Sequence, residues 1–208
     1  MTTQYVWYAS YGSNLNRERF LCYIQGGKPE GSDKEEIGCQ DPSLPLKEAT
    51  HLLEYPLYFA MNSKRWQNQG VAFIGIHQDN RYKTYSRKYL ITVGQFMDVV
   101  KQENNGIELD INLKEIETKG YKTVRNSWYG TIMYLGSEDG HPIFTFTSSW
   151  DLNVDFIKPS LEYLRMIIGG LRTYIELGEA EIIDYLKNKP GIIHNYTYKE
   201  LQMIVRNM

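Results

Sequence analysis

The clearest chemical signal in the chain is a carboxylate on an apolar face. Phe96, Val99, Val100 and Glu103 stand at i, i+3, i+4 and i+7 of a helix expected over Val93 to Asn104. Those four side chains share one side of the helix. A carboxylate there loses water when the face is buried, and desolvation raises its pKa. A raised carboxyl group suits a residue that must take a proton and return it near neutral pH. Two plainer roles compete. Glu103 could turn to water in the last helical turn, or pair with an arginine such as Arg125. Asp98, Glu108 and Asp110 are the neighbouring acids, and Asp98 falls off the apolar face by the same spacing.

The second signal is the turn Tyr11-Gly12-Ser13-Asn14-Leu15, between a strand expected over Gln4 to Ser10 and a helix expected over Asn16 to Gln25. A turn that opens a helix gathers main-chain N–H groups at a positive partial charge. Gly12 lets the backbone approach a ligand, and Ser13 and Asn14 add short polar side chains. The segment reads either as an anion or oxyanion site or as an ordinary strand-to-helix turn with an asparagine cap.

The elements that must hold these residues are legible in outline. Tyr5 to Tyr8 are β-formers, and Gly26-Gly27 stops the first helix. Leu57–Met61, Val71–His77 and Lys88–Ile91 read as strands. Thr92 and Gln95 have the spacing of a capping box at the start of the Glu103 helix. Tyr129–Leu135 and Pro142–Thr147 form a strand pair around Ser137 to Gly140. Leu161, Leu164, Ile167, Ile168 and Leu171 then recur at helical spacing. Glu179–Lys187 and Tyr198–Asn207 follow as helices, the second with Thr197 and Glu200 as capping box. Residues 28–48 are polar and read as a surface excursion, and 172–208 as a helical C-terminal extension. The whole, 1–208, reads as one α+β domain.

Composition narrows the function classes. Apolar residues make 42% of the 208-residue chain and charged residues 23%, which excludes disorder and coiled coil as the main architecture. With 23 basic against 25 acidic residues, no cationic surplus exists for a nucleic-acid platform. No apolar run approaches the length of a membrane span. The first residues carry no charged, apolar leader pattern, so a cytoplasmic protein is expected. Cys22 and Cys39 are expected as free thiols. The four histidines (His51, His77, His141, His194) lack metal-ligand spacing, so no metal is expected. The glycine-rich nucleotide cradles and the GxSxG elbow are absent. An enzyme built from these parts would use no cofactor and would rely on carboxylates and some of the seventeen tyrosines for proton transfer.

Tyr8-Ala9-Ser10-Tyr11-Gly12-Ser13-Asn14-Leu15 resembles the first strand and YGSN loop of the γ-glutamyl cyclotransferase-like family. Trp66 through Gly70-Val71-Ala72-Phe73 is similar to that family's tryptophan-to-GVA strand. Pro159-Ser160-Leu161-Glu162-Tyr163, with Gly169-Gly170 after it, resembles its PSxxY helix start. Gln102-Glu103 resembles its acidic element and Gly120-Tyr121 its later glycine-to-tyrosine step, here after a longer excursion, Glu108 to Lys119.

The resemblance implies a small closed β-barrel with flanking helices and a pocket at the barrel mouth. It implies Glu103 as acid–base catalyst. Tyr11, Gly12, Ser13, Asn14 and Leu15 would form the substrate loop, with Tyr121 and Tyr163 lining the pocket. The implied reaction releases 5-oxoproline and a free amine or amino acid from a small γ-glutamyl amide. The other function class on the same barrel is a non-catalytic binding or sensor module.

Overall fold

A computed structural model describes residues 4–29 and 35–208. The first strand, β1 (Tyr5–Ser10), runs into a short 3-10 turn, Ser13–Leu15, and then α1 (Arg17–Gln25). Next come β2 (Lys47–Leu53), β3 (Leu57–Ser63), β4 (Gln69–Ile74) and β5 (Thr84–Thr92). After them lie α2 (Val93–Glu103), α3 (Leu113–Lys119), β6 (Tyr121–Thr123), β7 (Thr131–Glu138) and β8 (His141–Thr147). The chain closes with α4 (Leu161–Thr173), α5 (Glu179–Lys187) and α6 (Tyr198–Arg206).

Six strands form one mixed sheet in the order β2-β5-β1-β8-β7-β6, while β3 and β4 pair separately. In the middle, β1 lies antiparallel to β5, with Val6 opposite Ile91, and parallel to β8, with Trp7 opposite Ile143. Both neighbours cover β1, and its burial is nearly continuous as a central strand requires.

The fold is α+β as expected, but the expected closed barrel is not found among the described residues. The β3–β4 hairpin meets the sheet through a side chain. Ile74 N donates to Thr147 Oγ1 at 3.2 Å, and Thr147 Oγ1 donates to Ile74 O at 2.7 Å. A threonine hydroxyl thus stands where a main-chain ladder would have joined β8 to β4.

Two further elements differ from expectation. β2 begins inside the polar stretch, and its residues are largely half-exposed because it is an edge strand with few apolar contacts to betray it. α3 buries only Ile116, so its apolar periodicity is too thin to read. Of the 28–48 excursion, residues 30–34 lie outside the described residues. Gly27 pairs with Glu36 in a one-residue antiparallel bridge. Cys22 and Cys39 are free thiols. No helix among the described residues is long and apolar enough to cross a membrane.

Two apolar clusters flank the strands. Phe20, Ile24, Phe96, Val99 and Val100 from α1 and α2 pack on one face of the sheet. Leu164, Ile168 and Leu171 of α4 pack on the β3–β4 hairpin, with Ile182, Leu186, Leu201 and Val205 of α5 and α6 in the same cluster. The C-terminal helices therefore share the hairpin's core.

Gly170 marks the closest approach. A β-carbon there would lie 2.5 Å from Leu15 Cβ and 2.8 Å from the Leu15 carbonyl carbon. Gly170→Ala must push α4 off the Ser13–Leu15 turn, an overpacking effect of about 1–3 kcal/mol. Urea denaturation should show this loss.

Candidate active site

The loop after β1 is short, and α1 starts at once. Asn16 caps that helix by accepting from Arg19 N at 3.1 Å. The early start puts Arg19 and Tyr23, four residues apart, on one face of α1. Arg19 Nε donates to Ser13 Oγ at 2.7 Å, and its Nη2 donates to Tyr23 OH at 3.3 Å. The same guanidinium lies 5.4 Å from the centre of the Trp66 ring. It is almost fully buried.

Across from the loop, α4 begins at Ser160, which accepts from Tyr163 N at 3.1 Å and so fixes Tyr163 in the first turn. Its hydroxyl accepts from Ala72 N at 3.0 Å. A β-carbon on Gly12 would sit 3.0 Å from that hydroxyl. Glycine at position 12 thus leaves the room the tyrosine tip occupies. Tyr129 OH donates to Ala72 O at 3.1 Å, from the other side of the same strand residue.

Glu103 ends α2. The capping box is present at its start: Gln95 N donates to Thr92 Oγ1 at 3.1 Å, and Thr92 N donates to Gln95 Oε1 at 2.9 Å. Its other end is tied down rather than frayed. Gln102 Nε2 donates to Tyr23 O at 3.0 Å, and Asn104 Nδ2 donates to Tyr129 O at 3.1 Å. Ser127 Oγ donates to Asn104 Oδ1 at 2.6 Å. These bonds hold the carboxylate between two neighbouring spaces, which share Ser13, Glu103, Tyr129 and Tyr163 as lining. A cavity of about 390 Å³ is walled by Arg19, Tyr23, Arg65, Trp66, Glu103, Arg125, Trp128, Tyr129 and Tyr163, among others. A recess of about 30 Å³ is walled by Tyr8, Tyr11, Gly12, Ser13, Asn14, Glu103, Tyr129 and Tyr163. Glu103 borders both.

Burial pushes the Glu103 carboxyl group up from its ordinary 4.5, opposed by a hydrogen bond from Tyr23 and by the charge of Arg19. Glu36 adds to the rise and Arg65 counters it. Glu36 is itself buried, with its Oε1 2.5 Å from Arg65 Nη1 and 3.9 Å from Arg19 Nη2. Burial also raises Tyr23 and Tyr163, so both hydroxyls keep their protons and can donate at neutral pH.

The raised carboxyl has a sign that can be tested. Folded Glu103 holds its proton above the pH at which the unfolded chain releases it, so stability falls as pH rises through that window. The contribution is full below about pH 4.5 and lost once the folded group ionises. Wild-type protein should therefore lose stability relative to Glu103→Gln as pH rises above 4.5, in parallel denaturant titrations.

The structure brings Gly12, Ser13, Asn14, Glu103 and Tyr163 to shared walls. Tyr11 contributes to the recess while its hydroxyl donates to Phe146 O at 2.8 Å. Leu15 is buried behind the loop against Gly170 and lines neither space. Tyr121 is a correction: it lies 39% exposed on β6, opposite Met133, and lines neither space. Gly120 ends α3 with φ of 82°, which turns the chain into an edge strand whose side chain at 121 faces outward.

Among the rival acids, Asp98 accepts from Gln40 N at 2.9 Å, and Glu108 is exposed beside Lys101. The arginines that act on Glu103 are Arg19 and Arg65. Arg19, Tyr23, Glu36, Arg65 and Tyr129 were not singled out from the sequence. The i, i+4 spacing of Arg19 and Tyr23 on the first helix was the one signal available. Among the described residues, no group of three or more His, Cys, Asp or Glu side chains gathers as a metal site.

No protein-family model matches the chain. A solved γ-glutamyl cyclotransferase superposes over 99% of this chain and 100% of its own, with a TM-score of 0.52 at 14% identity. The chain has the γ-glutamyl cyclotransferase-like fold. A solved uncharacterized human protein matches the same fold over 98% of this chain and 99% of its own, with a TM-score of 0.53 at 16% identity.

In sequence, the chain is 34% identical over 199 residues to "Histone deacetylase 5" of Arabidopsis thaliana. That match covers 87% of this chain but 30% of the longer protein, so this chain spans less than a third of its relative's length.

Proposed function

We propose that the protein is a γ-glutamyl cyclotransferase-like enzyme acting on small γ-glutamyl amides. The observation that supports this best is the position of Glu103, which borders both the loop recess and the larger cavity. One small molecule can then reach the Gly12–Asn14 loop and the carboxylate together.

In the reaction, the α-amino nitrogen of the glutamyl group attacks its own γ-carbonyl carbon. A new C–N bond closes a five-membered ring, and the old amide C–N bond breaks. Glu103, ionised, takes a proton from the α-ammonium and delivers it to the departing nitrogen, and the second proton shed by the attacking nitrogen on ring closure also passes to the released amine, which leaves as its ammonium. Main-chain N–H groups of the loop hold the α-carboxylate or the developing oxyanion. The protonated hydroxyls of Tyr163 and Tyr23 flank the site as donors. The products are 5-oxoproline and a free amine. No water or co-reactant is consumed, so the pocket acts chiefly by folding the substrate into an attacking geometry.

The test is release of 5-oxoproline from a panel of γ-glutamyl amides. Release supports the reading. Saturable binding of the same compounds without turnover would replace it with the non-catalytic binding module.

A further inference from the structure

Glu36 is a buried carboxylate in a polar stretch of chain. It is 4% exposed, while Glu35 and Ile37 on either side are exposed. Its Oε1 lies 2.5 Å from Arg65 Nη1 and 3.9 Å from Arg19 Nη2. Both arginines wall the larger cavity, whereas Glu36 lines neither space. Burying a charge pair adds little to stability, because desolvation offsets the attraction. Stability alone therefore does not account for the burial of Glu36.

The excursion that carries it is stitched to both helices of the site. Gly27 N donates to Glu36 O at 3.0 Å, and Glu36 N donates to Gly27 O at 2.8 Å. Cys39 N donates to Ile24 O at 2.9 Å, which ties the returning chain to the end of α1. A β-carbon at Gly38 would sit 2.6 Å from Gly26 N, so only glycine lets the two segments cross. Along α2, Gln95, Asp98 and Gln102 stand at i, i+3 and i+7, and each holds the excursion. Gln95 Nε2 donates to Ser43 O at 2.7 Å, and Asp98 Oδ2 accepts from Gln40 N at 2.9 Å. Gln102 Oε1 accepts from Gly38 N at 3.3 Å. Gln102 precedes Glu103, so Glu36 is held in register with that carboxylate.

Two cations and two carboxylates thus make one cluster. Arg19 and Arg65 draw Glu103 towards its ionised form, and Glu36 opposes them. Elsewhere Glu103 faces hydroxyls: Tyr8 of β1, Tyr23 of α1, Tyr129 ahead of β7 and Tyr163 of α4. Burial raises all four, so at neutral pH they bring no charge. Lys64 and Arg125 share the cavity wall with Glu103. With Glu36 gone, two guanidinium groups would bear on Glu103 uncompensated, and a carboxylate so held is a poorer base for an ammonium proton.

We propose that Glu36 is a positioning residue that takes up the charge of Arg65 and Arg19, so that Glu103 can accept and return the substrate's proton. This rests on the cyclotransferase reading and adds to that site a residue from outside its cavity.

The experiment follows Glu103 in two ways. One is ¹³C NMR of glutamate-labelled protein, with Glu103→Gln to assign the carboxyl signal. The other is the pH profile of kcat/KM for 5-oxoproline release, whose acidic limb reports ionisation of the base. Removing a negative neighbour favours the ionised form, so in Glu36→Gln both midpoints should move to lower pH. At the pH where wild type runs at half its plateau, the variant should run above half of its own. Glu36→Asp keeps the charge and should bring the limb back towards wild type. Arg65→Gln removes a cation and should move both midpoints to higher pH. Where Glu36→Gln does not fold, the double variant Glu36→Gln/Arg65→Gln is compared with Arg65→Gln, and should titrate at lower pH than that single variant. A fall in rate at every pH with both midpoints unmoved would overturn the proposal and leave the cyclotransferase reading standing, since a structural role does only that. No 5-oxoproline from wild type would overturn both.

Discussion

Glu103→Gln should lower kcat for 5-oxoproline release by about 10²–10⁴-fold, the usual scale of general acid–base catalysis. Glutamine keeps the shape and can still accept from Tyr23, but it cannot carry a proton between two nitrogens. Burial raises the carboxyl pKa at this position, so the neutral amide also removes a desolvated charge. The variant should be at least as stable as wild type above pH 4.5 and should still bind substrate. A drop in kcat with KM little changed is the expected pattern. Activity within a few-fold of wild type would take Glu103 out of the mechanism.

Arg19→Met carries the largest expected effect on stability. The guanidinium is buried, holds Ser13 Oγ at 2.7 Å and lies 3.9 Å from the buried Glu36. Removing one member of a buried charge cluster costs about 3–5 kcal/mol, because the charge left behind has lost its compensation. Glu36 keeps Arg65 at 2.5 Å, which places the expectation at the lower end of that range. Ser13 loses its anchor as well, so the loop should loosen and KM should rise. Equilibrium denaturation and steady-state kinetics on one preparation check both parts. An Arg19→Met protein as stable as wild type would show that Arg65 alone compensates Glu36.

The central elements were legible because their patterns are strong. β1 is a run of β-formers ended by a turn, and α2 has a capping box and an apolar face that leads to Glu103. The same periodicity placed Phe96, Val99 and Val100 in the core. The elements that stayed hidden bury little: β2 is an edge strand, and α3 buries one side chain.

The site divides the same way. Gly12, Ser13 and Asn14 lie in one contiguous turn, so a local motif reveals them. Glu36 comes from a polar excursion with no periodicity, and its bond to Arg65 spans separate parts of the chain. No spacing rule could join them. Tyr121 shows the limit of motif matching, since the longer path through α3 delivers Tyr129 rather than Tyr121 to the cavity wall. The barrel expectation stopped at Thr147, where a side chain does what a ladder was expected to do.

The most direct measurement is turnover of a γ-glutamyl amide in ¹⁸O-labelled water, with mass analysis of the acid product. A substrate that closes on its own amine gives 5-oxoproline free of solvent oxygen, and that is the expected result. Glutamate carrying one ¹⁸O would show that water attacks instead, and would contradict the account at its centre.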